Sequence, residues 1–298
     1  MKSKLDSREQ NNVHATPFEA KNELKIDYHK FLQKVQLVAI VNCTPDSFYD
    51  GGRYAQTQQA IEHGKQLIEE GADWIDVGGE STRPGATAVE TKEELRRVLP
   101  VIEALSPFIP VSIDTRNPIV AEQALMAGAT MINDVSGFTQ PAMCELAAKS
   151  QVLCCIMHAQ GTPATMQINP SYPKGVIHDI YNFFQETLNK LESYGISKQR
   201  LLLDPGLGFG KTKQHNFEII AHLSEFYSLG CPLYLGMSRK SFLKTTSLQN
   251  ASLSATLTCA TVSALSGVCY LRVHDVKEHR EMLSILEQIA WAKESQIG

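Results

Sequence analysis

With 298 residues, 43% of them hydrophobic and 20% charged, the chain can bury a large core and is long enough for one large barrel or two ordinary domains. Its formal net charge of −4 and its scattered basic residues argue against a nucleic-acid or anionic-membrane surface. No apolar stretch reaches membrane-spanning length, and the seven cysteines lie mostly in apolar runs without zinc-site spacing, so buried thiols in a cytoplasmic protein are expected.

Residues 1–36 are polar and mixed in charge, and read as an N-terminal extension, partly a disordered tail and partly a short barrel cover near Tyr28 to Leu32. They hold no apolar signal core, and Asp6, Glu9, Glu19 and Glu23 have the wrong sign for a transit peptide. From Leu37 onward the pattern is strand, loop, helix. The expected strands are Leu37–Val41, Trp74–Val77, Ile109–Ile113, Met131–Ile132, Val152–Met157, Leu201–Leu203, Leu233–Leu235 and Cys269–Val273. Their nearly continuous apolarity suits strands buried on both faces.

Helical spacing lies between them. Ala60, Ile61, Gly64, Leu67 and Ile68 share one face, and Thr91 to Glu94 reads as a capping box. Pro100 predicts a kink or an early stop in that helix. Asn117–Pro118 reads as an N-cap followed by proline at the first helical position. Further helices fit Pro141–Lys149, Val176–Tyr194, Asn216–Phe226, Ala251–Leu265 and Val276–Lys293. Five glycines, Gly71, Gly128, Gly195, Gly230 and Gly267, close helices just ahead of apolar runs. Strict alternation of eight strands and eight helices, with no glycine-rich phosphate turn after the first strand, favours a (β/α)8 TIM barrel of class α/β over 37–298 rather than a doubly wound sheet.

In such a barrel every strand-to-helix loop reaches one mouth. Asp114, Asn133 and Asp204 each end a strand, and three acceptor-rich side chains there suit a flat heterocycle with several N–H donors. Lys240 adds a donor. Arg272 and His274 alternate at the end of the eighth strand, so they point together and, near Asn42, make an anion site. Arg83, in the glycine-rich run that begins at Asp76, can clamp a phosphate. The run from Asp204 to Lys211 lacks the ending of a nucleotide-binding loop. His63, His178, His215 and His222 read as structural, whereas His158 is open between the two readings. No nucleophile–base pair and no histidine-rich metal spacing occurs, so the expected metal is Mg2+ carried by a phosphate.

Eight segments, VNCTPDSFYDGG (41–52), DVGGESTRPGA (76–86), SIDT (112–115), INDVSG (132–137), MHAQGTPATMQ (157–167), LDPGLGFGK (203–211), GMSRKSF (236–242) and RVHDV (272–276), together resemble the dihydropteroate synthase family over residues 37 to 293. The resemblance implies condensation of p-aminobenzoate with hydroxymethyl-dihydropterin pyrophosphate. It implies a pterin pocket from Asp114, Asn133, Asp204 and Lys240, and Mg2+ held with the help of Asn42. Arg272 and His274, with Arg83 nearby, would bind the leaving group. Lys240, Ser241, Phe209 and Pro84 would border the arylamine. Asp50, Thr82 and Arg83 would belong to two mobile loops, and a homodimer is implied. Tyr49 departs from the smaller residue frequent in the family, and the polar stretch Lys244–Asn250 lacks an arginine often found before the seventh helix. Two rivals share the barrel: a methyltetrahydrofolate-binding module of a corrinoid methyltransferase, and a non-catalytic paralogue. The first has no pyrophosphate to bind and so no use for Arg272, His274 and Arg83.

Overall fold

The computed structural model describes residues 35–44, 53–81, 85–86, 88–161, 165–244 and 252–294. Eight parallel strands run β1 Gln36–Asn42, β2 Trp74–Gly78, β3 Val111–Asp114, β4 Met131–Asp134, β5 Leu153–Met157, β6 Leu201–Asp204, β7 Tyr234–Gly236 and β8 Tyr270–Val273. Between and after them lie α1 Arg53–Glu69, α2 Thr91–Leu105, α3 Pro118–Met126, α4 Pro141–Ser150, α5 Val176–Ser193, α6 Lys213–Ala221, α7 Leu253–Leu265 and α8 Val276–Glu294. The strand order is β6-β5-β4-β3-β2-β1-β8-β7. A single parallel bridge, Leu203 to Leu233, joins the two ends, so the sheet is a nearly closed barrel with its thinnest seam between β6 and β7.

Each strand sends alternate side chains to opposite faces. Outward residues such as Leu37, Ala39, Ile75, Val111, Ile132, Leu203 and Leu271 join the helices in one large buried cluster. Inward residues form a second, smaller cluster of Val38, Trp74, Met131, Cys155, Leu202 and Tyr234. That second cluster is the floor of the lumen. One residue pair further along the strands the same inward register carries Asp76, Asp114, Asn133, Asp204 and Arg272. The lumen therefore changes from apolar to charged along its length, and its charged end is the carboxyl-terminal mouth.

All five helix-closing glycines have positive φ, from +76° at Gly230 to +108° at Gly128, the conformation a helix needs to turn back into a strand. Asn117 caps α3, its Oδ1 accepting from Ile119 N at 3.0 Å. At α2 the capping box fails, and so does an early stop at Pro100. Its cap is Glu90 with no side-chain bond, and Glu94 turns away to accept from Thr115 Oγ1 at 2.6 Å, so the capping box does not form. Pro100 neither stops nor shortens the helix, which continues to Leu105 because Val98, Val101, Ile102 and Leu105 are all fully buried against the sheet. The helix expected over Asn216–Phe226 divides at His222. The second part is a 3-10 helix, Leu223–Leu229, whose buried residues Leu223, Phe226 and Leu229 recur every three positions, as that geometry demands.

The loop after β6 is locked to the loop after β5. Asp204 O accepts from His158 N at 2.9 Å, Gly208 O from Gln167 Nε2 at 2.6 Å and Gly210 O from Tyr172 OH at 2.8 Å. Gly206 sits at φ +68° with its α-carbon against the His158 carbonyl. A Gly206→Ala substitution would drive its Cβ into that oxygen and impose a disfavoured φ. The expected loss is more than ~2 kcal/mol in denaturant titration. A midpoint equal to wild type would show that the two loops separate at little cost.

Candidate active site

The mouth is organised by strand register. Asn42 pairs with Gly78, Gly78 with Asp114, and Asp114 with Asn133, which puts three polar side chains in one transverse row. Gly78 leaves the row open: a Cβ there would lie 3.7 Å from Asp114 Oδ2 and 3.8 Å from Asn42 Oδ1. Gly236 does the same on β7, beside Arg272 and Lys240. Small residues on β2 and β7 thus leave room for a ligand between the polar strands.

Arg272 crosses this space. Its Nε donates to Asp76 Oδ2 at 2.6 Å and its Nη2 to Asp114 Oδ2 at 2.7 Å. Asn133 Nδ2 donates to the same Asp76 oxygen at 3.2 Å. Among the described residues, Asp76 Oδ1, Asp114 Oδ1, Asn133 Oδ1 and Tyr234 OH are buried with no hydrogen-bond partner. Asp114 Oδ1 and Asn133 Oδ1, in the outer row with Gly78, are acceptors only, which suits a ligand that brings donors.

Burial moves the titrations. The Asp114 carboxyl is pushed up to about 7, chiefly by desolvation; Arg272 opposes this, and Asp76, Glu94 and Asp134 add to it. Burial likewise raises Asp204. Desolvation lowers Lys240 to about 8, against the pull of Asp204. The carboxylates near Arg272 hold its guanidinium charged.

Asp204 ends β6, its Oδ1 accepting from Gly206 N at 2.8 Å. Lys240 reaches over the β6 loop, donating to Leu207 O at 2.5 Å with its Nζ 4.8 Å from the Phe209 ring centroid. Ser241 begins a short 3-10 turn, Ser241–Leu243, at the rim and is exposed. His274 lies just past β8, its Nδ1 3.0 Å from Ser238 Oγ. Arg272 turns into the lumen towards Asp76 and Asp114, while His274 lies beside Ser238. Buried carboxylates attract the guanidinium more strongly than an exposed rim can. Asp50, Thr82, Arg83 and Pro84 lie outside the described residues.

Three residues passed over or left open by sequence reasoning take part. Asp76 is fully buried and holds both Arg272 and Asn133. Lys211, only 3% exposed, donates to His158 O, Phe209 O and the His158 ring, at 3.3, 3.0 and 3.0 Å. His158 is thereby a structural acceptor; burial first and Lys211 second lower it to about 2. The signal for Asp76 was its parity with Trp74, which makes it inward-facing. Asp134, by contrast, is spent on the Ser136 and Phe138 amides of its own turn. Glu80 is spent on Arg116, at 2.9 and 3.0 Å.

Comparison with known proteins agrees with this geometry. The family model described as pterin binding enzyme matches residues 38–274. The dihydropteroate synthase of Escherichia coli (strain K12) is 43% identical over 270 residues, covering 89% of this chain and 95% of the relative. The structure of the Yersinia pestis dihydropteroate synthase with a sulfonamide drug complex superposes with a TM-score of 0.81 at 42% identity, over 87% of this chain and 95% of that one. That of Xanthomonas albilineans with 4-aminobenzoic acid gives 0.80 at 40% identity, over 87% and 94%. A polar mouth of this composition on a barrel matched over nearly its whole length places the chain in the pterin-binding enzyme family, among the dihydropteroate synthases.

Proposed function

We propose that the chain joins p-aminobenzoate to hydroxymethyl-dihydropterin pyrophosphate, giving dihydropteroate and pyrophosphate. The carrying observation is the group of buried acceptor oxygens without partners, Asp114 Oδ1 and Asn133 Oδ1, on the strands that face Asp204 and Lys240. A pterin ring presents an amino group and ring N–H groups as donors and a carbonyl as acceptor. Asp114, Asn133 and Asp204 supply the acceptors, and Lys240 the donor for the carbonyl. Phe209, Lys240, Ser241 and Pro84 border the arylamine: an aromatic wall, an ammonium and a hydroxyl fit an aryl carboxylate.

The reaction breaks the bond from the pterin methylene to the diphosphate oxygen, and its electron pair leaves with pyrophosphate. The arylamine nitrogen then forms the new bond and gives up one proton. The ring carries positive charge between these events, and the Asp114 carboxylate opposes it inside a site of low polarity. Arg272 and His274, with Arg83, bind the leaving pyrophosphate. Asp50, Thr82 and Arg83 close over the substrates and keep water from the cation.

Among the described residues no group of three His, Cys, Asp or Glu could hold a metal. Asn42 offers one neutral oxygen at the end of β1, beside Gly78 and Asp114. That donor set fits Mg2+ as an ion that arrives on the diphosphate and keeps most of its waters. When bound, Mg2+ neutralises charge on the leaving group.

The assembly is read as a homodimer in the cytoplasm, without nucleic-acid or membrane partners. Seven free thiols suit a reducing compartment. No helix among the described residues is long and apolar enough to cross a membrane. Exposed Val262 and Leu265 on α7 and Ile285 and Ile289 on the adjacent α8 offer an apolar face for a second copy. Light scattering is expected to give twice the chain mass of 33.0 kDa, and a monomer at micromolar concentration would remove the dimer.

The activity is tested by pyrophosphate release from purified protein given the pterin substrate and Mg2+. Release should require p-aminobenzoate, match pteroate formed, stop on chelation with EDTA and return with Mg2+. Arylamine-independent release, or full turnover in EDTA, would break the corresponding part of the reading. Asp204→Asn should weaken 6-hydroxymethylpterin binding by about 100-fold or more in calorimetry, since one acceptor oxygen becomes a donor and the other loses its charge, at ~1.5 kcal/mol or more each. An unchanged affinity would take Asp204 out of the pocket.

A further inference from the structure

Two substrate-binding side chains hang on one carboxylate. Asp76 Oδ2 accepts from Arg272 Nε at 2.6 Å and from Asn133 Nδ2 at 3.2 Å. Exposure rises outward along this chain of contacts: 0% for the Asp76 side chain, 10% for Asp114 and 19% for Arg272. The guanidinium is therefore gripped at its inner edge, Nε, by a carboxylate closed off from solvent. Its outer edge, Nη2, rests on Asp114, a group that a ligand at the mouth can reach.

That resting arrangement engages each group in part. The diphosphate requires a cation, and one terminal nitrogen of Arg272, Nη2, is held by Asp114. The pterin ring requires an acceptor, and one of the two Asp114 oxygens is occupied by Arg272. A single exchange answers both needs. Turning the guanidinium outward about its Asp76 contact would give its terminal nitrogens to the diphosphate and release Asp114 Oδ2 to the ring. Asp76 also fixes the Asn133 amide by its Nδ2, which leaves Asn133 Oδ1 directed away from that contact as an acceptor.

We propose that Asp76 is the positioning residue of this site: it anchors the inner edge of Arg272 while the outer edge exchanges Asp114 for the substrate's diphosphate, so that diphosphate binding prepares Asp114 for the pterin. The inference rests on the synthase reading above. It makes two ligand groups cooperate through a side chain that touches neither. Linkage requires the cooperation to be reciprocal: pyrophosphate tightens the pterin by the same factor as the pterin tightens pyrophosphate. An arginine held only by Asp114 would lack a pivot, and its release would cost a buried, unpaired charge.

The pH profile offers an independent mark. Arg272, Asp76, Glu94, Asp134 and Lys240 are the charged groups that act on Asp114. Asp76 and the two other carboxylates hold its proton on, and Arg272 favours the ionised form. Protonation turns one Asp114 oxygen from acceptor to donor, so kcat/KM for the pterin substrate falls as pH drops through about 7. Asp76→Asn keeps the shape and one acceptor oxygen but deletes a like charge. The Asp114 titration then falls, and the acid limb moves to lower pH by ~0.5 unit or more.

The test is calorimetric titration of 6-hydroxymethylpterin into the full chain, with and without millimolar inorganic pyrophosphate and Mg2+, for wild type and Asp76→Asn. In wild type, pyrophosphate should tighten the pterin at least ~10-fold, a coupling of typical size for linked sites. In Asp76→Asn the factor should fall below ~2, with kcat reduced more than KM is raised and the acid limb displaced as above. Wild-type coupling and an unmoved acid limb in a folded Asp76→Asn would overturn the proposal. So would the absence of coupling in wild type, a measurement that needs no variant to fold. Failure of wild type to form dihydropteroate would instead strike the synthase reading, which separates the two outcomes.

Discussion

A guanidinium buried between two carboxylates at the mouth of a barrel sets the terms for everything around it. Arg272, Asp76 and Asp114 come from β8, β2 and β3, and the curvature of the sheet around β1 brings their side chains together inside the lumen. Desolvating three charges is costly, and their mutual attraction offsets that cost only if geometry is held closely. The apolar floor of Val38, Trp74, Met131, Cys155, Leu202 and Tyr234 does the holding, by packing beneath the charges and denying them any other position. Stability and site are thus the same structure viewed at two depths of one lumen.

The far wall of the site is held differently. Strands β6 and β7 meet by one bridge only, so the sheet itself gives little rigidity there. The loops supply it. Lys211 is buried among the carbonyls of His158 and Phe209 and the ring of His158, and it ties the end of the β6 loop to the start of the β5 loop. Burial holds its ammonium pKa well below the ordinary range. The bonds to Gly208 and Gly210 carbonyls add to the lock, and the consequence is a fixed Phe209 and a fixed Leu207 carbonyl for Lys240 to rest on. A polar knot replaces the missing ladder hydrogen bonds.

Much of this was legible in the chain because barrels are periodic. Apolar runs, five of them after helix-ending glycines, gave all eight strands within two residues of their ends, and the glycines have the positive φ that the reading required. Asp114, Asn133 and Asp204 were legible because a polar residue terminating an apolar strand has one place to go. What local pattern could not show was competition. Thr91 to Glu94 has the spacing of a capping box, but Thr115, from a loop distant in sequence, takes the Glu94 carboxylate. Pro100 has the chemistry of a helix breaker, but four buried side chains keep the helix running. Arg272 and His274 alternate as expected, yet which way an arginine turns depends on carboxylates 196 and 158 residues away. Asp76 opens a glycine-rich motif, where only its parity with Trp74 marks it as inward-facing.

Burial also determines when this site is in its working charge state. Desolvation raises the carboxyl of Asp114 to about 7 and lowers the ammonium of Lys240 to about 8. The two groups are thereby brought towards each other on the pH scale, and both are charged together only in a narrow interval near neutrality. An empty site is poorly solvated for the charges it must carry. A dipolar ring that donates to the carboxylates and accepts from the ammonium supplies the missing solvation, so binding itself should widen that interval by stabilising both charged forms. The same burial that makes the resting charges reluctant makes each of them more effective against the charge that develops on the ring, because little water remains to screen it.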